Sequence, residues 1–187
     1  MMRMTFKRAA TAGFTLIELL IVVIILAILA AIAIPQFSAS AGDAQRAALD
    51  ANLAAVRNAI EQYRAQHTNF AFPGAAASTG NVACPAGGEP GTGAAGTVAA
   101  FQEQMRFPSN RAGQTCTVAG GEFRYGPYLR QGIPNEPINN SAAIVVQTTG
   151  APIVAVAANG WAYDTVSGQF IMNSTALDPD NRAYSLR

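Results

Sequence analysis

Residues 14–34, FTLIELLIVVIILAILAAIAI, form an apolar stretch carrying a single charge, Glu18. At about 1.5 Å per residue a helix over this stretch spans roughly 31 Å, the thickness of a bilayer's hydrocarbon core. It is too long for the apolar part of an ordinary secretory signal, about 7–15 residues. Arg3, Lys7 and Arg8 precede it with no acid among them. Such a cluster stays on the cytoplasmic side, which places everything after Pro35 across the membrane. A long signal peptide cut near Ala31-Ile32-Ala33 is the alternative reading.

Glu18 fits neither a plain anchor nor a plain signal. A carboxylate in a spanning segment costs about 2.5–3.5 kcal/mol at mid-helix, less near an interface, and normally has a partner. The stretch contains no basic residue. A cut just before Phe14 would create a free α-amino group, positive at neutral pH. A helix does not readily fold its own first amine onto its fifth side chain, so the partner is expected on a neighbouring copy. The acid therefore points to assembly.

Lys7-Arg8, then Gly13 followed by Phe14-Thr15-Leu16-Ile17-Glu18-Leu19-Leu20, resembles the class III signal of type IV pilins and pseudopilins. The resemblance implies a prepilin peptidase that cuts after Gly13 and N-methylates Phe14. It implies that Glu18 docks each subunit on the one before it, and that Pro35 is the family's helix-distorting proline. The implied partners are identical subunits in a homopolymer, the peptidase, an inner-membrane assembly platform, and lipid before assembly. The precursor would lie in the inner membrane with its head in the periplasm, and the filament at the cell surface or in the periplasm.

Beyond Pro35 the helical pattern resumes. Leu49, Leu53, Val56, Ile60 and Tyr63 are spaced 4, 3, 4, 3, one apolar stripe on an amphipathic helix. Pro35 is expected to kink or locally melt the helix, and Asp43 suits a cap if it breaks around Gly42. His67 closes the helix, where a histidine reads as a favourable charge partner for the C-terminus. Residues 72–98 are dense in Gly, Ala, Ser and Pro and read as an irregular surface loop. Residues 99–107 suit a short helix ending before Pro108. Cys84 and Cys116 bracket this region, and in an exported chain one disulfide between them is the natural reading. Residues 143–148, 160–164 and 169–172 carry the β-branched and aromatic residues of strands. They predict a meander of at least three antiparallel strands, with Trp161, Tyr163 and Phe170 in its core. Residues 126–138 hold three prolines and read as a covering loop or edge.

The expected architecture is α+β: a long N-terminal α-helix, apolar in its first half, packed on a small antiparallel β-sheet head, with a long irregular loop between helix and sheet. The expected divisions are a cleaved leader over 1–13, a transmembrane or fibre-core helix over 14–35, and its amphipathic second half over 36–67. A Gly/Ala-rich loop region covers 68–121, and the sheet head and tail cover 122–187. The order GPYL, IPNEP, GWAYD, GQF over residues 126–170 also resembles the C-terminal part of pilins and major pseudopilins.

The chain has a formal net charge of +1, which gives no case for nucleic acid as the main partner. No glycine-rich phosphate loop, paired histidine, CxxC or GxSxG turn is present, so nothing supports an enzyme or a bound cofactor. Asp178-Pro179-Asp180-Asn181 could suit calcium, which the resemblance to major pseudopilins associates with a C-terminal loop, but two acids and an amide also make an ordinary turn. The leading reading is a structural subunit of a type IV pilus or related filament. A major pseudopilin of type II secretion is the alternative, and a membrane-tethered binding domain that never polymerises is the third.

Overall fold

In the computed structural model, residues 14–158 and 160–187 are described. Helix α1 spans Leu16–Gln66 and contains Pro35 without interruption. The expected local melting at Pro35 and a break near Gly42 are therefore not seen. Proline removes one N–H, and with it the bond to the carbonyl of Ala31 one turn back. The helix continues across it with the remaining backbone bonds intact.

The chain divides into two compact units, one ending at Ala44 and one covering Gln45–Arg187. In the first unit the apolar side chains are exposed all round the helix. Leu19, Ile21, Val23, Ile25 and Leu29 are each more than half exposed. A helix that is apolar on every side has no single face to turn toward one core, and is suited to lipid or to surrounding helices. By length and composition it can cross a membrane.

In the second unit the 4-3-4-3 stripe behaves as the pattern requires: Leu49, Leu53, Val56, Ile60 and Tyr63 are at most 1% exposed. They form one core with Phe101 and Met105 of α2 (Val98–Arg106) and with the inward side chains of a three-stranded sheet. Burying a side chain of this size contributes about 1.5–3 kcal/mol. Thr97 caps α2, its hydroxyl accepting from the amide of Ala100 at 3.2 Å, and the helix stops one residue short of Phe107-Pro108.

The sheet consists of β1 (Ile144–Gln147), β2 (Trp161–Asp164) and β3 (Phe170–Met172), in that order. β2 and β3 form the expected antiparallel hairpin, with Trp161 opposite Met172 and Tyr163 opposite Phe170. β1, however, runs parallel to β2, with Ile144 opposite Trp161 and Gln147 opposite Asp164. This corrects the expected antiparallel meander, and the sheet is mixed. The cause is the connection over 148–160, long enough to return the chain to its starting edge, as a parallel pair requires and a tight turn does not allow.

Trp161 and Tyr163 lie on the core face, as expected. Their polar atoms find partners across the unit: Trp161 Nε1 donates to the Pro134 carbonyl and Tyr163 Oη to that of Pro73, both at 2.8 Å. Phe101 of α2 stacks on Tyr163 at 4.1 Å between centroids.

Candidate assembly site and its supporting loops

The leader, including Gly13 and the basic residues Arg3, Lys7 and Arg8, lies outside the described residues. The first described residues build a helix start. The Glu18 carboxylate accepts from the Thr15 amide at 2.9 Å and the Thr15 hydroxyl at 2.7 Å, while the Glu18 amide donates to the Thr15 hydroxyl at 3.3 Å. This is a capping box, in which the N-cap threonine and the glutamate three residues on satisfy each other's orphan donors. Sequence reasoning treated Glu18 only as half of an intersubunit pair and missed this local role. The Thr15-x-x-Glu18 spacing ahead of an apolar run is the signal that would have found it. Phe14 is 83% exposed, and with Leu19, Val22 and Val23 it borders an open apolar hollow.

In the Gln45–Arg187 unit, Cys84 and Cys116 form a disulfide with their Cα atoms 5.8 Å apart. Gly88 lies against it, and a Cβ there would fall 2.5 Å from the Cys116 sulfur. Two residues of α2 that sequence reasoning passed over organise the rest of this loop. The Glu103 carboxylate accepts from the Ser78 hydroxyl, from the amide and hydroxyl of Thr92, and from the Gly93 amide. Burial opposes its ionisation, yet these donors together hold its pKa below the ordinary value. The fully buried Gln104 accepts from the Gly74 amide at 2.6 Å and donates to the carbonyls of Ala76 and Gly113 at 3.0 and 2.8 Å. A loop rich in small residues buries little apolar surface, so α2 supplies polar side chains that satisfy its backbone.

His67 differs from expectation. It is 6% exposed, stacked on Tyr63 at 3.6 Å, and its ring nitrogens lie 2.6 Å from the Tyr63 carbonyl and 2.9 Å from the Ser109 hydroxyl. Burial pushes its pKa below the ordinary value. It is a packed, neutral ring rather than a charged cap, because the 107–111 segment covers the helix end.

The Asp178–Asn181 loop is also committed internally. Asp178 Oδ1 accepts from the amides of Asp180 and Arg182 at 2.9 Å, and Oδ2 from Arg187 at 2.5 Å. Arg187 reaches Asp50 on α1 at 2.8 Å, and Asp180 pairs with Arg46 at 2.8 Å. Hydrogen bonds from Arg187 and the backbone pull the Asp178 pKa down. A guanidinium already neutralises this carboxylate and N–H donors fill its oxygens, so the donor set does not fit a calcium ion. Among the described residues no group of three or more His, Cys, Asp or Glu side chains is arranged to hold a metal.

Residues 8–34 match the family described as the prokaryotic N-terminal methylation motif. The chain is 37% identical to the type II secretion system core protein G of Pseudomonas aeruginosa over 67 residues, 36% of this chain and 46% of that protein. It is 55% identical to the type IV narrow pilus major component PilA5 of Thermus thermophilus over 47 residues, 25% of this chain and 40% of that protein. The chain thus spans less than half the length of these relatives. No solved structure matches. The chain thus carries the prepilin methylation motif at its N-terminus, ahead of an α+β fold behind a long apolar helix, and is similar over that N-terminal part to both a type IV pilin and a type II secretion core protein.

Proposed function

We propose that the protein is the structural subunit of a type IV pilus or closely related filament. It has no catalytic role, as befits a family of structural subunits. The precursor sits in the inner membrane through residues 14–35 with its head in the periplasm. A prepilin peptidase cuts after Gly13 and methylates Phe14, and the assembly platform then draws the subunit into a fibre of identical copies. The observation that carries this reading is the coincidence of the methylation motif at residues 8–34 with a helix whose apolar side chains are exposed on every side. That surface is satisfied by lipid before assembly and by neighbouring helices after it.

Glu18 takes two roles in sequence. Before cleavage Thr15 holds it in the capping box. Once the leader is removed, the new Phe14 amine of an adjacent subunit supplies the cation it lacks. Glu18→Ala is expected to insert and be processed normally, yet yield few or no sheared surface fibres by electron microscopy. Wild-type fibre yield would remove the docking role. N-terminal mass spectrometry of wild-type fibres is expected to begin at methylated Phe14.

The similarity to a secretion-system core protein supports a second reading, a major pseudopilin of a short periplasmic filament. Deleting the gene separates the two. Loss of surface fibres with normal secretion supports the pilus; the reverse supports the pseudopilus.

A further inference from the structure

The sheet of the Gln45–Arg187 unit has a second face that the core does not use. Side chains alternate along a strand. Ile144, Val146, Trp161, Tyr163, Phe170 and Met172 belong to the core, so Val145, Gln147 and Ala162 lie on the other face, and Asn173 continues that row one residue past β3. The 148–160 connection runs over this outer face and is held there by side chains of the sheet. Ile153 and Val156 donate their amides to Gln169 Oε1 and Asn173 Oδ1 at 2.8 and 3.0 Å, and the Ala151 carbonyl accepts from Gln147 Nε2 at 2.7 Å. No charged residue stands between Glu136 and Asp164. The Asp164 carboxylate is itself occupied by the amides of Gly150, Val166 and Ser167.

Between the connection and the sheet lies a hollow of about 80 Å³. Val145, Val154, Val156 and Ala162 supply its apolar walls, and Gln147 and Asn173 its polar groups. Val154 is also 81% exposed, so the hollow reaches the surface. Asn173 is only 2% exposed, yet its Nδ2 is buried without a hydrogen-bond partner. The identity of that atom is fixed, because the Val156 amide requires an oxygen and leaves the nitrogen as the free end. The Ala151 carbonyl orients Gln147 in the same way, and its Oε1 has no protein donor among the described residues. The hollow therefore offers one spare donor, one spare acceptor and apolar walls.

We propose that this hollow is a binding site for the acetamido group of an N-acetylated amino sugar. Charged ligands do not suit it, since neither a carboxylate nor a guanidinium lines the walls. A plain hydrocarbon would leave the buried Asn173 nitrogen unpaired, which is costly. One water takes about 30 Å³, so the hollow is larger than a single water, and valine walls give a second one no partner. An acetamido group meets every feature at once. Its carbonyl accepts from Asn173 Nδ2, its N–H donates to Gln147 Oε1, and its methyl packs on the valines while the sugar ring stays outside beside Val154. A peptide group carries the same polar atoms but continues as a chain on both sides, whereas the acetamido group ends in a methyl that a hollow of this size can take. The proposal does not depend on the filament reading.

The test is nuclear magnetic resonance of the full chain, labelled with nitrogen-15 in nonionic detergent and titrated with N-acetylglucosamine, glucose or the peptide mimic N-acetylalanine methylamide. N-acetylglucosamine is expected to shift the Asn173 side-chain NH₂ signals saturably, with Overhauser contacts from its acetyl methyl to Val154 and Val156. Glucose, which lacks the acetamido group, is expected to shift nothing. Asn173→Asp keeps the acceptor for Val156 and removes the donor, and is expected to weaken binding at least about tenfold. Ala162→Val fills the hollow from β2 without touching a polar group, and is expected to abolish binding with the melting midpoint retained; it decides the matter if Asn173→Asp fails to fold. Absence of a saturable shift, an equal shift with glucose, or full binding by Ala162→Val would overturn the proposal. Overhauser contacts from water to the Asn173 NH₂ that persist at saturating sugar would overturn it too, leaving an ordered water as the occupant. Equal or tighter binding of the peptide mimic would replace the amino sugar with a peptide.

Discussion

The two parts of α1 have the same secondary structure and opposite environments. Up to Ala44 the helix shows its apolar side chains on all sides and buries almost none of them. From Gln45 on it confines them to a stripe and buries every member of it. Helix formation is indifferent to this contrast, since both parts lie in one continuous helix. What differs is the angular spread of apolar residues, and that spread sets what each part needs as a partner. A stripe can be satisfied once, within its own chain. A helix apolar all round needs a solvent of lipid or several neighbouring helices.

The sharpest way to break the comparison is to make the same substitution in both parts. Leu53→Ala removes a side chain 1% exposed and is expected to destabilise the Gln45–Arg187 unit by about 2–5 kcal/mol. Leu26→Ala, at a site 59% exposed, is expected to leave its melting midpoint unchanged. Thermal denaturation of both variants in detergent, followed by near-ultraviolet dichroism, checks this. A comparable loss from Leu26→Ala would mean that the two parts are not energetically separate.

Reduction of the disulfide comes next. Cys84–Cys116 closes a loop with a sequence separation of 32, worth about 3.5 kcal/mol in the loop-entropy account. Dithiothreitol is expected to lower the melting midpoint of the Gln45–Arg187 unit while leaving the membrane affinity of the apolar segment unaltered. Flotation with liposomes measures the second quantity.

A smaller effect is expected from pH, again confined to the second unit. His67 is buried with its pKa depressed, so the fold favours the neutral ring. Its contribution is complete above the ordinary histidine value of about 6.5 and is lost as pH falls through the lower folded value. The wild-type melting midpoint should fall on acidification below about pH 6.5, and His67→Gln should flatten that part of the profile. Calcium should have the smallest effect. With Asp178 neutralised by Arg187, adding calcium or a chelator is expected to leave the midpoint where it was. A rise of several degrees with calcium would show that Arg187 yields to the ion.

Much of the fold could be read before any coordinates. The 4-3-4-3 stripe gave the buried face of α1, and Trp161, Tyr163 and Phe170 gave the sheet's inner face, because periodicity reports burial directly. The capping box at Thr15 and Glu18 was equally legible, but attention to Glu18 as an unpaired charge hid it. The direction of β1 was not legible. Its four residues look alike in either orientation, and only the route of 148–160 decides between them. The roles of Glu103 and Gln104 were also out of reach, since their partners lie 9 to 30 residues away in segments without periodic pattern. His67 was misread because its cover, Ser109, is 42 residues distant.

Properties that depend on neighbouring residues were therefore settled by the order of amino acids: a membrane-length apolar segment, its start at Phe14, and a one-sided second half. Properties that depend on which distant groups meet were settled by folding alone. Arg187 finds Asp50 across 137 residues and at the same time holds the Asp178 carboxylate. No local pattern encodes such pairings, since they follow from the packing of the whole unit.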